Sequence, residues 1–258
     1  MNPAAPSPAP ALRERMRVLN DCNQRGGRML SLVDLLDAGT VDLALAGYLA
    51  AAMRARSSLL VGARPGGAGK TAVMVALMAF LPEDVAIQPI EGPVWLRRGL
   101  ADAAYGKTCY LAHEIGAGFY YAYLWDDQAR AFFRLAGRGH LIASNLHADT
   151  LIEAQAQLVD EVGVAPEDLR AVTLKVFLRV ARGPDFRLRR WVHTVYESDG
   201  VHDRLIWQRA EKGRFARMAG SQLVDPEAEA RARAFLERCL ARDERTLEAV
   251  CARASEEL

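Results

Sequence analysis

Lys70 and Thr71 close a glycine-rich run, Arg64-Pro65-Gly66-Gly67-Ala68-Gly69-Lys70-Thr71. A lysine beside a hydroxyl at such a point can grip a chain of phosphates. Glycines let the backbone approach phosphate oxygens and turn its N–H groups toward them. A helix starting there adds the positive end of its dipole. On this reading Pro65, Gly66, Gly67, Ala68, Gly69, Lys70 and Thr71 bind ATP. Lys70 would contact the β- and γ-phosphates and the Thr71 hydroxyl would ligate Mg2+. Arg64 stands where the usual G-x-x-x-x-G-K-[ST] pattern has its first glycine. The competing reading is a glycine-rich turn that happens to precede a lysine. The strand-forming Leu59-Leu60-Val61 ahead of the run, and the apolar stretch 72–81 behind it, favour the phosphate loop.

Phosphate transfer also needs an acid near the metal and a group that positions water. In an open α/β sheet such groups sit at the carboxyl ends of neighbouring strands. Glu114 ends Cys109-Tyr110-Leu111-Ala112-His113. There it would take or hold the proton of the attacking water and reach Mg2+ through a water. Glu91 ends a second apolar stretch, before Gly92-Pro93, and could act on a metal-bound water. His147 ends a third, after Asn145-Leu146, and could sense the γ-phosphate by hydrogen bond. Glu114, Glu91 and His147 are the catalytic candidates. The bland alternatives are a solvent-facing glutamate beyond a strand end for Glu114, a turn acid before Gly-Pro for Glu91, and a satisfied core or surface histidine for His147. His140, at the far end of the third stretch, reads as structural. Arg97, Arg98, Arg134 and Arg138 offer arginine fingers, although for any one of them a solvated charged face is the better reading. Arg179, Arg182, Arg187, Arg189 and Arg190 could bind an anionic surface, and edge-strand protection is the preferred reading.

The elements that must position these residues follow from apolar spacing and punctuation. Residues 1–11 are rich in Pro and Ala and read as a disordered tail, with a short helix over 12–22. Helices are expected over 30–37 and, capped by Thr40, over 41–55. Strands are expected over 58–62, 85–90, 108–112 and 140–145, with a polar link carrying Arg97 and Arg98 between the second and third. Helical patterns fill the other gaps, among them 150–160, and Pro82 is expected to end the helix of the loop. This alternation predicts a mostly parallel sheet with helices on both faces. The pattern then becomes antiparallel, with strands at 172–180 and 188–196 and another after Asp199-Gly200. Asp225-Pro226 starts a helical stretch that runs to 256. The division expected is a tail at 1–27, an ATPase domain at 28–215 and a helical segment at 216–258.

Length 258 allows one large domain or two small ones. A net charge of +1 gives no support to a nucleic-acid partner. Cys22, Cys109, Cys239 and Cys251 form no C-x-x-C pair, which argues against zinc and fits a reducing cytoplasm. The longest apolar run, 72–81, is far short of a membrane span, and the N-terminus has no secretory pattern.

Together these residues resemble the secretion ATPase superfamily of type II and type IV secretion and of type IV and Tad (Flp) pilus assembly. Gly66-Gly-Ala-Gly-Lys-Thr71 is similar to its Walker A loop. Ile87-Gln-Pro-Ile-Glu91-Gly-Pro is similar to its Asp box, with Gly92 in the place of an aspartate. Leu111-Ala-His-Glu114-Ile resembles its Walker B box, with His113 at the usual glycine. Gly139-His140-Leu-Ile-Ala-Ser-Asn-Leu-His147-Ala resembles its two-histidine box. The likeness covers about residues 30–210, the family's C-terminal motor domain. It implies a P-loop NTPase (RecA-like) α/β fold, ending here in an antiparallel hairpin and a helical segment. It also implies ATP and Mg2+ as cofactors, a homo-oligomer with the hexamer as the family form, and an inner-membrane platform protein as partner. The setting would be cytoplasmic, at most peripheral to the membrane. The runner-up is a nucleotide-binding regulatory or interaction subunit with weak or no hydrolysis, suggested by Arg64, His113 and the short stretch between Glu91 and Glu114. A nucleic-acid-dependent ATPase is a third reading.

Overall fold

The computed structural model describes residues 10–23, 26–117, 123–210 and 213–258. The expected tail up to residue 9, and Phe119, Tyr120 and Tyr121 of an aromatic cluster, lie outside that range. The chain begins with α1 (Pro10–Asp21), α2 (Leu32–Asp37) and α3 (Leu43–Arg54). Ser31 and Asp34 form a reciprocal capping box at α2. The residue that caps α3 is Asp42, not Thr40: its carboxylate accepts the Leu45 N–H at 2.8 Å. A carboxylate one residue from the helix outcompetes a hydroxyl three residues away. Then come β1 (Leu59–Gly62), the phosphate loop, and α4 (Lys70–Met78), which ends four residues before Pro82.

The second half of the α/β region holds β2 (Ala86–Pro89), α5 (Pro93–Ala101), β3 (Thr108–Leu111), β4 (Glu114–Ile115), β5 (Tyr123–Leu124), α6 (Asp126–Gly137) and β6 (Leu141–Leu146). The polar link expected around Arg97 and Arg98 is α5. Proline sits in its first turn, and Leu96 and Gly99 are buried. The helix over 150–160 is α7 (Leu151–Gln155), which passes into a π-helical stretch, Ala156–Glu161. A short α8 (Pro166–Arg170) follows. The antiparallel part comprises β7 (Leu174–Arg182), β8 (Leu188–Ser198), β9 (Asp203–Arg209) and β10 (Phe215–Arg217). The C-terminal stretch is two helices, α9 (Pro226–Ala241) and α10 (Leu247–Glu257), separated where Asp243 turns left-handed (φ 59°) and Thr246 caps α10.

Among the described residues the strands form one sheet in the order β10-β9-β8-β7-β1-β6-β3-β2, with β4 and β5 branching from β6. Pairing is parallel from β7 through β1, β6 and β3 to β2, and antiparallel from β7 to β10. The fold is therefore α/β with a mostly parallel sheet and helices on both faces. One core layer joins the sheet to α2, α3, α4, α9 and α10, where Phe80 meets Phe235 edge-on at 6.0 Å. Burying an aromatic ring of this kind contributes about 2–3 kcal/mol. The other layer joins the sheet to α6 and α8 through Phe132, Phe133, Leu169 and Phe177. β1 is buried along its whole length between β6 and β7, so the loop leaves from the middle of the sheet.

The arginine-rich hairpin end fits edge protection. β7 pairs β1 only over Leu174–Phe177 and β8 pairs β9 only over Thr194–Ser198, so Arg179, Arg182, Arg189 and Arg190 lie where the two strands have no outer neighbour.

Candidate functional site

The phosphate loop hangs between the ends of β1 and β6. Ala63 N–H donates to the Leu146 carbonyl (3.0 Å), and Arg64 N–H donates to the Asp149 carboxylate (2.8 Å). Gly67 and Gly69 take positive φ, 80° and 92°, where a side chain is strained. Arg64 does not, so the fold has no conformational need for glycine there. The Arg64 side chain lies along Glu153 (3.1 Å), whose carboxylate also accepts the Asp149 N–H. Gly69 precedes α4 without offering a side-chain cap, which leaves the first N–H groups of that helix open toward the loop.

Lys70 is almost fully buried. Its Nζ donates to the Ala63 carbonyl (3.0 Å) and pairs with Glu114 Oε1 (2.8 Å). Glu114, also buried, receives His147 Nε2 on the same oxygen at 2.6 Å and the Tyr123 hydroxyl on Oε2 at 2.9 Å. The other ring nitrogen of His147 faces the Arg64 carbonyl at 3.1 Å. Lys70, Glu114 and His147, far apart in sequence, form one hydrogen-bonded cluster. His113 stacks on Tyr123 (ring centroids 6.1 Å apart), and burial holds its imidazole below the ordinary histidine value.

Thr71 belongs to the same site through Asn145. The Asn145 amide donates to Thr71 Oγ1 (3.2 Å) and to the His113 carbonyl (2.8 Å), while its Oδ1 is buried without a partner. An open acceptor beside a hydroxyl, below a cradle of open N–H groups, fits a hydrated Mg2+ held by Thr71 and by phosphate oxygens.

Glu91 is placed apart from this cluster. It lines a cavity of about 310 Å³ with Glu14, Arg17, Trp95 and His113. The following Gly92 has φ 154°. His140 is buried, its Nε2 at 3.2 Å from the Asp102 carbonyl and its ring between Tyr105 and Tyr110. Arg98 lies over Trp95 and Arg138 donates to the Leu100 carbonyl (2.5 Å). The arginine that touches the loop from outside it is Arg190, whose Nε donates to the Gly67 carbonyl at 2.7 Å. Sequence reasoning missed Asn145, Tyr123, Asp149 and Arg190 as parts of the site. Asn145 carried a signal, being an amide inside the apolar strand Leu141–Leu146.

No family model matches the chain, and no curated protein matches it. The chain is similar in fold to several solved structures. They include the VirB11 ATPase of the Brucella suis type IV secretion system, in complex with sulphate, at 18% identity and TM-score 0.45 over 78% of this chain. The Legionella pneumophila ATPase DotB follows at 10% identity and TM-score 0.43, and the Yersinia pseudotuberculosis ATPase DotB at 12% and 0.43, each over 84% of this chain. The chain spans 61%, 62% and 63% of those three proteins.

Proposed function

We propose that the chain binds MgATP on the Gly66–Thr71 loop and hydrolyses it, acting as a motor domain of the secretion and pilus-assembly ATPase kind. The observation that carries this reading is the meeting of Lys70 and His147 on one oxygen of Glu114, at 2.8 and 2.6 Å, beside the open N–H groups of α4. Lys70 exchanges Glu114 for phosphate oxygens. Glu114, released, orients the attacking water and takes its proton. His147 follows the γ-phosphate, and Thr71 holds Mg2+, which supplies charge neutralisation during transfer. Glu91 acts on water from the neighbouring strand end. The motif resemblance supports a homo-oligomer, in family form a hexamer, working with an inner-membrane platform protein at the cytoplasmic face.

A second reading, a nucleotide-gated interaction subunit with little turnover, is favoured by the occupation of both Glu114 oxygens by Lys70, His147 and Tyr123. Steady-state ATP hydrolysis by wild type, Lys70→Ala and Glu114→Gln separates the two. The motor reading expects loss of nucleotide binding at the loop in Lys70→Ala, and retained binding with a turnover drop of about 100-fold or more in Glu114→Gln. Unchanged nucleotide affinity in Lys70→Ala sinks both readings. Tight binding without turnover in wild type selects the second.

A further inference from the structure

In the antiparallel half Phe177 and Tyr196, nearest β1, still belong to the second core layer, while farther out the core lies against one face. Val180, Val192, Ile206 and Trp207 pack into the core layer of α3 and α9, with Tyr48 of α3 at 6.3 Å from the Trp207 ring. The opposite face of β7–β10 forms an open cavity of about 740 Å³ lined by Arg179, Arg189, Trp191, His193, Gln208 and Arg209 among others. That volume lies in the range of small-ligand sites, roughly 300–1,000 Å³.

The cations here are poorly neutralised and pre-set. Arg209 is held between the rings of Trp191 (4.6 Å) and Phe215 (5.4 Å), and its Nε is fixed on the Gly213 carbonyl (3.0 Å). Arg179 is exposed on the stretch of β7 beyond its pairing with β1 and has no carboxylate partner among the described residues. Arg189 meets only Asp185, at the loose distance of 3.7 Å. A guanidinium that is already immobilised loses little entropy on binding, and its planar fork matches two phosphate oxygens. Burial, then the charges of Arg179 and Arg209, hold the His193 imidazole below its ordinary value, which marks a positive local field.

We propose that this uncovered face is a second anion site that takes a small polyphosphate, such as the triphosphate tail of a free nucleotide, separately from the phosphate loop. Charge complementarity selects an anion. A cavity of about 740 Å³ has room for a compact anion. Neighbouring strand residues project to opposite faces, so Arg189 faces the cavity while Arg190 reaches Gly67 in the loop. One turn of the pleat on β8 therefore links the two sites.

The test is calorimetric titration of the full chain with tripolyphosphate, repeated with ATP. Wild type is expected to bind two equivalents and Lys70→Ala one. Adding Arg179→Ala to Lys70→Ala is expected to weaken the remaining site at least 10-fold. Adding Arg209→Lys instead, which keeps the charge and loses the fork, is expected to weaken it several-fold in a protein of unchanged thermal midpoint. Equal affinity for ATP and tripolyphosphate means that the phosphates alone are read, and tighter ATP means that the nucleoside is read as well. The proposal is overturned if Lys70→Ala binds none, or if the remaining site ignores both arginine changes. It is also overturned if a single-stranded oligonucleotide, polyglutamate or an anionic phosphatidylglycerol vesicle binds this face more tightly than tripolyphosphate. Two equivalents in Lys70→Ala, with one lost on Arg179→Ala, would uphold the second site and remove the loop assignment.

Discussion

Arg190 on β8 donates its Nε to the Gly67 carbonyl at 2.7 Å, a contact between residues 123 positions apart. Its Cδ also lies 3.5 Å from where a Cβ on Gly69 would stand. The hairpin thereby holds the loop in shape from outside. A hydrogen bond from a charged donor contributes about 1 kcal/mol once solvent exposure is discounted. Arg190→Ala is expected to raise the nucleotide Kd about 3- to 10-fold while the thermal midpoint stays within about 2 °C. Titration with a fluorescent ATP analogue checks this, and an unchanged Kd would make the contact incidental.

Two glycines that flank the loop should respond in opposite ways. A Cβ on Gly62 would stand 2.5 Å from Phe177 Cδ1 and 2.6 Å from the Ala148 carbonyl oxygen. Backbone cannot yield there, so Gly62→Ala is expected to cost about 2–3 kcal/mol of stability. Gly66 has open space around it and a φ that is not positive. Gly66→Ala should fold within about 0.5 kcal/mol of wild type. Urea denaturation of the pair measures the difference.

Glu197 fastens the C-terminal segment to the sheet. It is buried and accepts from the Tyr48 hydroxyl (3.1 Å), the Ser221 hydroxyl, Gln222 N–H (2.6 Å) and Leu223 N–H (3.2 Å), with Arg204 at 3.6 Å. Glu197→Ala strands those donors, and a loss of about 3 kcal/mol is expected. Limited proteolysis should then cut first near 218–224, and a cleavage pattern identical to wild type would contradict the role.

Stability should fall between pH 7 and pH 5. Burial holds the imidazoles of His113 and His193 below the ordinary histidine value of about 6.5. Below that value the unfolded chain binds protons that the folded chain does not yet bind, so the folded state loses ground as pH drops toward the folded pKa. The carboxylates with lowered values, Asp34 and Asp84, lose their contributions at lower pH still. Thermal midpoints at pH 7.5 and 5.5 are expected to converge in a His113→Gln/His193→Gln variant. An equal drop in that variant and in wild type would assign the effect elsewhere.

Strand, loop and helix around Lys70 were legible because glycine, lysine and threonine act locally there, within ten residues. The convergence of Glu114 and His147 on Lys70 was legible only as strand ends, since register decides which ends meet. α5 was hidden because Arg97 and Arg98 read as a polar link, although Leu96 and Gly99 carry its buried face. Gly99 lets Tyr110 and Leu135 approach its Cβ position to 2.7 and 2.8 Å, a small-residue contact that hydrophobic spacing does not register. Arg179, Arg189 and Arg190 were legible as edge residues, because they fall on the stretch of the β7–β8 hairpin that runs past its pairing with β1 and β9. Asn145 and Tyr123 touch their partners only in the folded sheet.

Arg15 of α1 donates to the carbonyls of Leu81 (2.6 Å), Pro82 (2.5 Å) and Val85 (3.0 Å), just beyond the end of α4. α4 is a nine-residue rod roughly 13 Å long, with Lys70 at its front and this clasp at its rear. In a close-packed interior a tilt imposed at one end of such a rod is carried to the other. α1 also lines the Glu91 cavity beside His113 through Glu14 and Arg17, so this one helix touches both the rear of α4 and the strand ends next to the site.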